Sequence, residues 1–301
     1  MTWTPLPLPC KAIPMHAPAK EPLRILAPNP SPLTGPGTTT FLIGQDHVAV
    51  IDPGPDDDAH LGAIIDVGRG RISHIFVTHA HLDHSQGAPR LSRLTGAPVL
   101  AFGTATEGRS AINSRLSASG LIHGGEGLDM DFTPDIRLHD GQQVTTPDWS
   151  LRALHTPGHA AGHLCLEWGD TIFCGDLVMG WSSTLISPPD GDLADYFRSL
   201  DRLTHLAPVR LLPAHGDAIA DPLPRLAELA RHRRDRTAQI MAALRHSPDN
   251  AAGLARRLYD IPEPLFPAAQ RNVLSHLIAL SQLGAIDFQG DLTANSFFSI
   301  S

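Results

Sequence analysis

The chain has 301 residues, 42% of them hydrophobic and 18% charged, with a net charge of −8. Its longest apolar runs, such as HVAVI, fall far short of a membrane span, so the composition reads as that of a soluble globular protein with no membrane partner. Acidic residues concentrate in residues 1–219, which hold 14 Lys and Arg against 23 Asp and Glu; this balance argues against broad binding of duplex DNA, whose affinity rests on cationic contacts to phosphate.

The leader MTWTPLPLPCKAIPMHAPAKEPLRIL is interrupted by Pro5, Pro7, Pro9 and Pro14 and has no continuous apolar segment behind a basic cap. Residues 1–34 therefore read as a Pro-rich N-terminal segment rather than a secretory signal, which points to the cytoplasm. Cys10, Cys165 and Cys174 are odd in number and not closely spaced, which suits the same reducing compartment. TTTFLIG and HVAVID are expected to form a hairpin. DDDAHLGAIIDVG then places acidic residues first, apolar residues at helical spacing and Gly68 last, the start and stop signals of a helix. HIFVT follows as a buried strand, GAPRLSRLTG as a short helix, APVLAFG as a strand and ATEGRSAINSRLSASG as a polar, exposed helix. WSLRALH, TIFCG and VRLLP are further strands, with a helix at LADYFRSLDRL between the last two. Strands are too often adjacent for a regular βαβ repeat, so residues 35–220 are expected to form a mixed α/β (α+β) domain with a sheet-on-sheet core and outer helices.

From Pro222 the pattern changes to LPRLAELARHRRDRTAQIMAALRH, NAAGLARRLYD and AAQRNVLSHLIALSQLG, closed by a short hairpin in AIDFQG and NSFFSIS. Three helices and a hairpin outline a small winged-helix domain over residues 221–301, with Val273, Leu277, Leu280 and Leu283 as the core face of the third helix.

Seventeen histidines are the compositional outlier. The decisive segment is Thr78-His79-Ala80-His81-Leu82-Asp83-His84, directly after the apolar strand HIFV. A strand end opening into a loop can aim His79 and His81 to one side while Asp83 and His84 turn toward a neighbouring point, so one segment can serve two adjacent metal ions. His159 in HTPGH, Asp176 in FCGD and His215 in LPAHG each sit at a strand end beside glycine, whose backbone freedom lets separate strands converge on one rim. Asp52, closing HVAVID, is the candidate brace for the ligand loop. His155 and His163, flanking His159, read as structural.

THAHLDH, TPGH, CGD and PAHG, in this order, resemble the metallo-β-lactamase superfamily over roughly residues 35–220. The resemblance implies a four-layer αββα sandwich with the metals at one edge between the sheets. It also implies one metal on His79, His81 and His159, a second on Asp83, His84 and His215, and Asp176 bridging both. The segment APNPSPLTGPGTTTFLIG, the IDPGP turn, STLISPPDGDLADYFRSL and the C-terminal helices further resemble the branch related to human β-lactamase-like protein 2, which carries a C-terminal winged-helix domain and includes a single-strand-specific endoribonuclease.

Such a site implies a hydrolase holding two Zn2+ per chain, with Mn2+ or Fe2+ as other metals these ligands accept, and using a metal-bridging hydroxide that Asp83 helps to orient. The substrate reading is a phosphodiesterase on single-stranded RNA, for which Arg231, Arg233, Arg234 and Arg236 would contact phosphates. The alternative is a carbonyl hydrolase of a small thioester, ester, lactone or β-lactam. A non-enzymatic, metal-dependent nucleic-acid binder ranks last, because the third C-terminal helix has few cationic residues. The small domain is expected to roof the active-site cleft or to form homodimer contacts.

Overall fold

A computed structural model of the chain describes residues 21–121, 124 and 127–301. The leader through residue 20, with Cys10, and also His123 lie outside the described residues. Elements of the first half are β1 (Leu23–Leu26), β2 (Thr39–Ile43), β3 (Val48–Ile51), α1 (Asp58–Gly68), β4 (Ile72–Phe76), α2 (Leu82–Ser85), α3 (Ala88–Thr95), β5 (Val99–Ala101), α4 (Ala111–Ala118) and β6 (Ile136–Arg137). The six strands make one sheet in the order β1-β2-β3-β4-β5-β6, antiparallel through β3 and parallel beyond it. A second sheet follows from β7 (Gln143–Thr145), β8 (Ser150–His155), β9 (Leu164–Trp168), β10 (Thr171–Gly175), α5 (Leu193–Leu206) and β11 (Arg210–Pro213), with strand order β11-β10-β9-β8-β7. The last third holds α6 (Pro222–His246), α7 (Ala251–Leu258), α8 (Phe266–Gln282), β12 (Ile286–Phe288) and β13 (Phe298–Ile300), the last two paired antiparallel.

Side chains that alternate along each strand divide between two apolar layers. Phe41, Ile51, Phe76, Leu166, Phe173 and Leu212 meet between the sheets, with the Phe41 and Phe173 rings 5.1 Å apart. Their neighbours Leu42, Val50 and Ile75 pack outward on Leu61 and Ile64 of α1 and Leu91 of α3. On the far side Leu154, Cys165, Ile172 and Cys174 pack on Leu200 and Leu203 of α5 and Leu226 and Leu229 of α6. The result is the expected helix-sheet-sheet-helix sandwich. Strands β1, β6, β7 and β9 carry no clear signal in the sequence. Among the described residues, no helix is long and apolar enough to cross a membrane.

Two expectations fail for identifiable reasons. The helix at ATEGRSAINSRLSASG shrinks to α4 and is not simply exposed, because Leu116 is buried among Ile240, Leu244, Val273 and Leu277 of the C-terminal helices. Asn113 of the same helix is also buried and donates to the Gly191 carbonyl at 3.0 Å. In the third C-terminal helix Val273, Leu277 and Leu280 are buried, but Leu283 is 81% exposed. Helix α8 ends at Gln282, so the helical phase no longer steers the next side chain.

Because Leu116 is the fully buried apolar side chain of α4, Leu116→Ala should lower stability by about 2–5 kcal/mol. The neighbouring Arg115→Ala should change it by less than about 0.5 kcal/mol. Urea unfolding of both variants checks the contrast, and equal small losses would contradict the packing.

Candidate metal centre

Each candidate ligand stands where a strand of the sandwich ends. The chain leaves β4 through Val77 and Thr78, places His79 and His81 before α2, and carries Asp83 and His84 in that short helix. His159 follows β8, Asp176 follows β10 directly and His215 follows β11 by two residues. Gly175, immediately before Asp176, has φ +46, and a Cβ there would lie 2.8 Å from Thr78 Oγ1 and 2.7 Å from His163 Nε2. Only glycine lets β10 approach the ligand loop this closely.

The seven residues are each no more than 7% exposed. His81 Nδ1 lies 3.0 Å from His79 Nε2 and 2.9 Å from His159 Nε2, forming one three-histidine group. A second group forms where Asp83 Oδ2 lies 3.3 Å from both His84 Nε2 and His215 Nε2. Asp176 spans the two. Its Oδ1 is 3.4 Å from His84 Nε2 and 3.2 Å from His215 Nε2, while its Oδ2 is 3.6 Å from His159 Nε2.

Outer hydrogen bonds fix which ring nitrogen carries the proton. A carbonyl only accepts, so His159 Nδ1 donates to Leu185 O at 2.8 Å and His215 Nδ1 donates to Gly37 O at 3.2 Å. His84 Nδ1 donates to Asp52 Oδ2 at 3.0 Å. Thr78 Oγ1 donates to the same carboxylate at 2.8 Å and thereby accepts from His79 Nδ1 at 3.0 Å. Four histidines thus turn an unprotonated Nε2 toward the shared space in the neutral state. His84 Nε2 and Asp176 Oδ1 are buried and have no hydrogen-bond partner among the described residues, which is the condition of groups arranged to receive a cation. Three imidazoles on one side, two imidazoles and a carboxylate on the other, and a carboxylate between them fit divalent metal ions of the zinc type.

The two groups differ electrostatically. Burial pushes His81 down to about 3 and also lowers His79 and His159, so the three-histidine group is neutral. Burial also opposes charge on His84 and His215, but the Asp83 and Asp176 carboxylates overcome it, raising His84 well above the usual histidine value and His215 to about 10. Asp176 resists its burial through His215 and His84, which hold its carboxyl well below the usual carboxylate range.

Asp52 adopts φ +51 and bonds Thr78 N at 2.7 Å through Oδ1, besides its bonds to Thr78 Oγ1 and His84. Sequence reasoning missed several supports. Thr38 Oγ1 donates to Asp83 Oδ2 at 3.0 Å, Thr184 Oγ1 lies 3.1 Å from His159 Nδ1, and Thr40 Oγ1 links buried His60 to the Asp52 carbonyl. No spacing rule connects these residues to the motif. His155 bonds the Ala161 carbonyl and stacks on Phe102, and His163 bonds Thr156, as structural histidines do.

A cavity of 330 Å³ opens over His81, Asp83, His159, Asp176 and His215. Leu33, Met179, Trp181 and Leu185 form one wall; Tyr259, Ile261, Leu265 and Asn272 from the last third form the other. Among the described residues, no Lys or Arg lines it. The arginine cluster expected to meet phosphates is divided by the fold. Arg233 is 1% exposed and donates to the Thr184 carbonyl and Asn272, whereas Arg236 bonds the Leu258 carbonyl and lies over the Tyr259 ring. A larger groove of 890 Å³ between α5, α6 and α8 is mainly apolar and contains none of the seven residues.

The profile of the metallo-beta-lactamase superfamily matches residues 33–215. A beta-lactamase-like protein 2 homolog of Drosophila melanogaster is 30% identical over 88% of this chain and 89% of its own. An atrochrysone carboxyl ACP thioesterase of Aspergillus chevalieri is 33% identical over 77% of this chain and 68% of its own. The crystal structure of a metallo-beta-lactamase family protein from Thermus thermophilus has the same fold, with a TM-score of 0.75 at 24% identity over 93% of this chain and 98% of that one. The chain belongs to the metallo-beta-lactamase superfamily and is a metal-dependent hydrolase. Within it, the chain stands beside the beta-lactamase-like protein 2 homologs.

Asp52→Asn should retain the shape of the site but turn an amide N–H₂ toward Thr78 Oγ1–H and His84 Nδ1–H, or toward Thr78 N–H. Leaving buried donors unpaired costs about 1–3 kcal/mol, which thermal or urea unfolding of the metal-free chain will register. Unchanged stability would show that Asp52 does not brace the loop.

Proposed function

We propose that the chain is a hydrolase with two zinc ions, one on His79, His81 and His159, the other on Asp83, His84 and His215, with Asp176 contributing an oxygen to each, and that its substrate is a small acyl thioester or related carbonyl compound. The observation that carries the substrate class is the wall of the 330 Å³ cavity above the ligand cluster, which is mainly apolar and, among the described residues, free of Lys and Arg. A phosphodiester carries a charge that such a wall does not match, whereas an acyl chain does. The thioesterase among the relatives supports the same direction.

Metal ions held there supply Lewis-acid polarisation of the carbonyl and activation of water near neutral pH. The chain's own residues do the rest. Leu185, Gly37, Asp52 and Thr78 hold the outer nitrogens of four histidines, keeping each Nε2 aimed inward. Asp83, tied through Oδ2 to Thr38, orients the attacking water. Leu33, Met179, Tyr259 and Ile261 exclude bulk solvent and receive the acyl portion, with half-exposed Trp181 at the rim. We assign residues 35–220 as the catalytic domain and residues 221–301 as a winged-helix-like unit that roofs the cleft. The unpaired, buried Cys165 and Cys174 support a cytoplasmic location.

Metal-loaded protein should be tested against a glutathione or acyl-carrier thioester, an acyl lactone, a chromogenic β-lactam and labelled single-stranded RNA. Thioester turnover is expected to dominate, and preferential RNA cleavage would replace the carbonyl reading. Asp176→Ala should reduce bound metal from two ions per chain to one or fewer and hydrolysis by more than about 100-fold, beyond the usual effect of disturbing an outer-shell partner. Full occupancy with normal turnover in that variant would overturn the dinuclear assignment.

A further inference from the structure

The loop Thr184–Ile186 meets the ligand cluster on one side and the C-terminal helices on the other. Toward the cluster, Leu185 O accepts from His159 Nδ1 at 2.8 Å, and Thr184 Oγ1 lies 3.1 Å from the same nitrogen. These are the contacts that leave His159 Nε2 unprotonated and aimed at His81 and Asp176. Toward the helices, the Thr184 carbonyl accepts from Arg233 of α6. The Ile186 N–H donates to Asn272 Oδ1 of α8 at 3.2 Å, and that oxygen also accepts from Arg233 Nη1 at 3.1 Å. The guanidinium and the amide therefore hold the peptide groups on either side of Leu185. Arg233 is itself fixed. It is 1% exposed, and its guanidinium carbon lies 5.7 Å from the centre of the Tyr196 ring.

We propose that Arg233 and Asn272 are positioning residues for the metal centre, acting through Thr184–Ile186 to set the orientation of His159. The inference rests on the reading of His159 as a metal ligand. A buried charged group whose donors reach acceptors on two separate elements permits one arrangement of the loop, and a planar fork holds that arrangement better than a flexible ammonium. The C-terminal unit is then part of the metal site without supplying a ligand to it. Phosphate binding is closed to Arg233 for the same reason, since the side chain is buried and its Nη1 and Nη2 groups are held by Asn272 and Thr184.

The test is Co2+ affinity by chelator competition on the full chain, arranged as double-mutant cycles. Arg233→Met retains volume but removes the donors, and should weaken binding of one Co2+ by about 10- to 100-fold while leaving the other unchanged. In a His159→Asn background the same substitution should have no further effect, whereas in a His215→Asn background its full effect should persist. Asn272→Leu should behave like Arg233→Met, and Asn272→Asp, which retains an acceptor for Ile186 N–H and Arg233, should recover affinity. If Arg233→Met does not fold, the Asn272 pair in the same two backgrounds gives the answer. Unchanged Co2+ affinity, or an equal loss in both backgrounds, overturns the positioning role. If His159→Asn alone leaves Co2+ binding intact, the ligand reading itself fails, a result distinct from the first.

Discussion

The structure depends on a constraint imposed by imidazole chemistry: a buried histidine offers a lone pair on one nitrogen only if the other holds the proton and gives it to an acceptor. Asp52 shows how far the fold goes to meet this. Its carboxylate takes donors from Thr78 N, Thr78 Oγ1 and His84, and Thr78 passes the same order on to His79. The residue adopts a left-handed backbone, a conformation costly for most side chains but tolerated by aspartate, to reach all three. His159 and His215 are set by main-chain carbonyls at Leu185 and Gly37, from loops far apart in sequence.

The sandwich supplies the other requirement, convergence. Strands β4, β8, β10 and β11 belong to two sheets, yet their ends meet at one edge because the apolar faces containing Phe41, Phe76, Phe173 and Leu212 pack directly against each other. Outside the sheets, α6 and α8 cover the second face and carry Arg233 and Asn272 to the back of the His159 loop. The last third of the chain consequently does two things at once. Helix α6 buries Leu226 and Leu229 against the sheet, and the segment joining α7 to α8 closes the cavity with Tyr259, Ile261 and Leu265.

The main elements were legible because their signals are local: short apolar runs in HVAVI and HIFV, caps and periodicity in α1 and α5, and the change to continuous helix after Pro222. Asp57 and Asp192 cap those two helices, as acidic starts suggest. The short strands β1 and β6 were not legible, since two to four residues hold too little pattern. Helix α4 was misread because Leu116 is buried by helices more than a hundred residues away and Asn113 is bonded to the Gly191 carbonyl of a distant loop. Arg233 was misread for a related reason: a charge run on a helix looks alike whether its members face water or one of them turns inward.

The sequence by itself determined the candidate ligand types, their order and their places beside strand ends, because HxHxDH and the Gly-flanked His159, Asp176 and His215 are written within short stretches where chain geometry leaves little freedom. Only the tertiary structure decided which nitrogen each histidine presents, which side chains wall the cavity, and that Arg233 serves a buried loop. Those properties depend on acceptors and neighbours such as Gly37, Thr38, Leu185 and Asn272, which are ordinary residues in the sequence and gain their roles when the two sheets and the C-terminal helices close on one another.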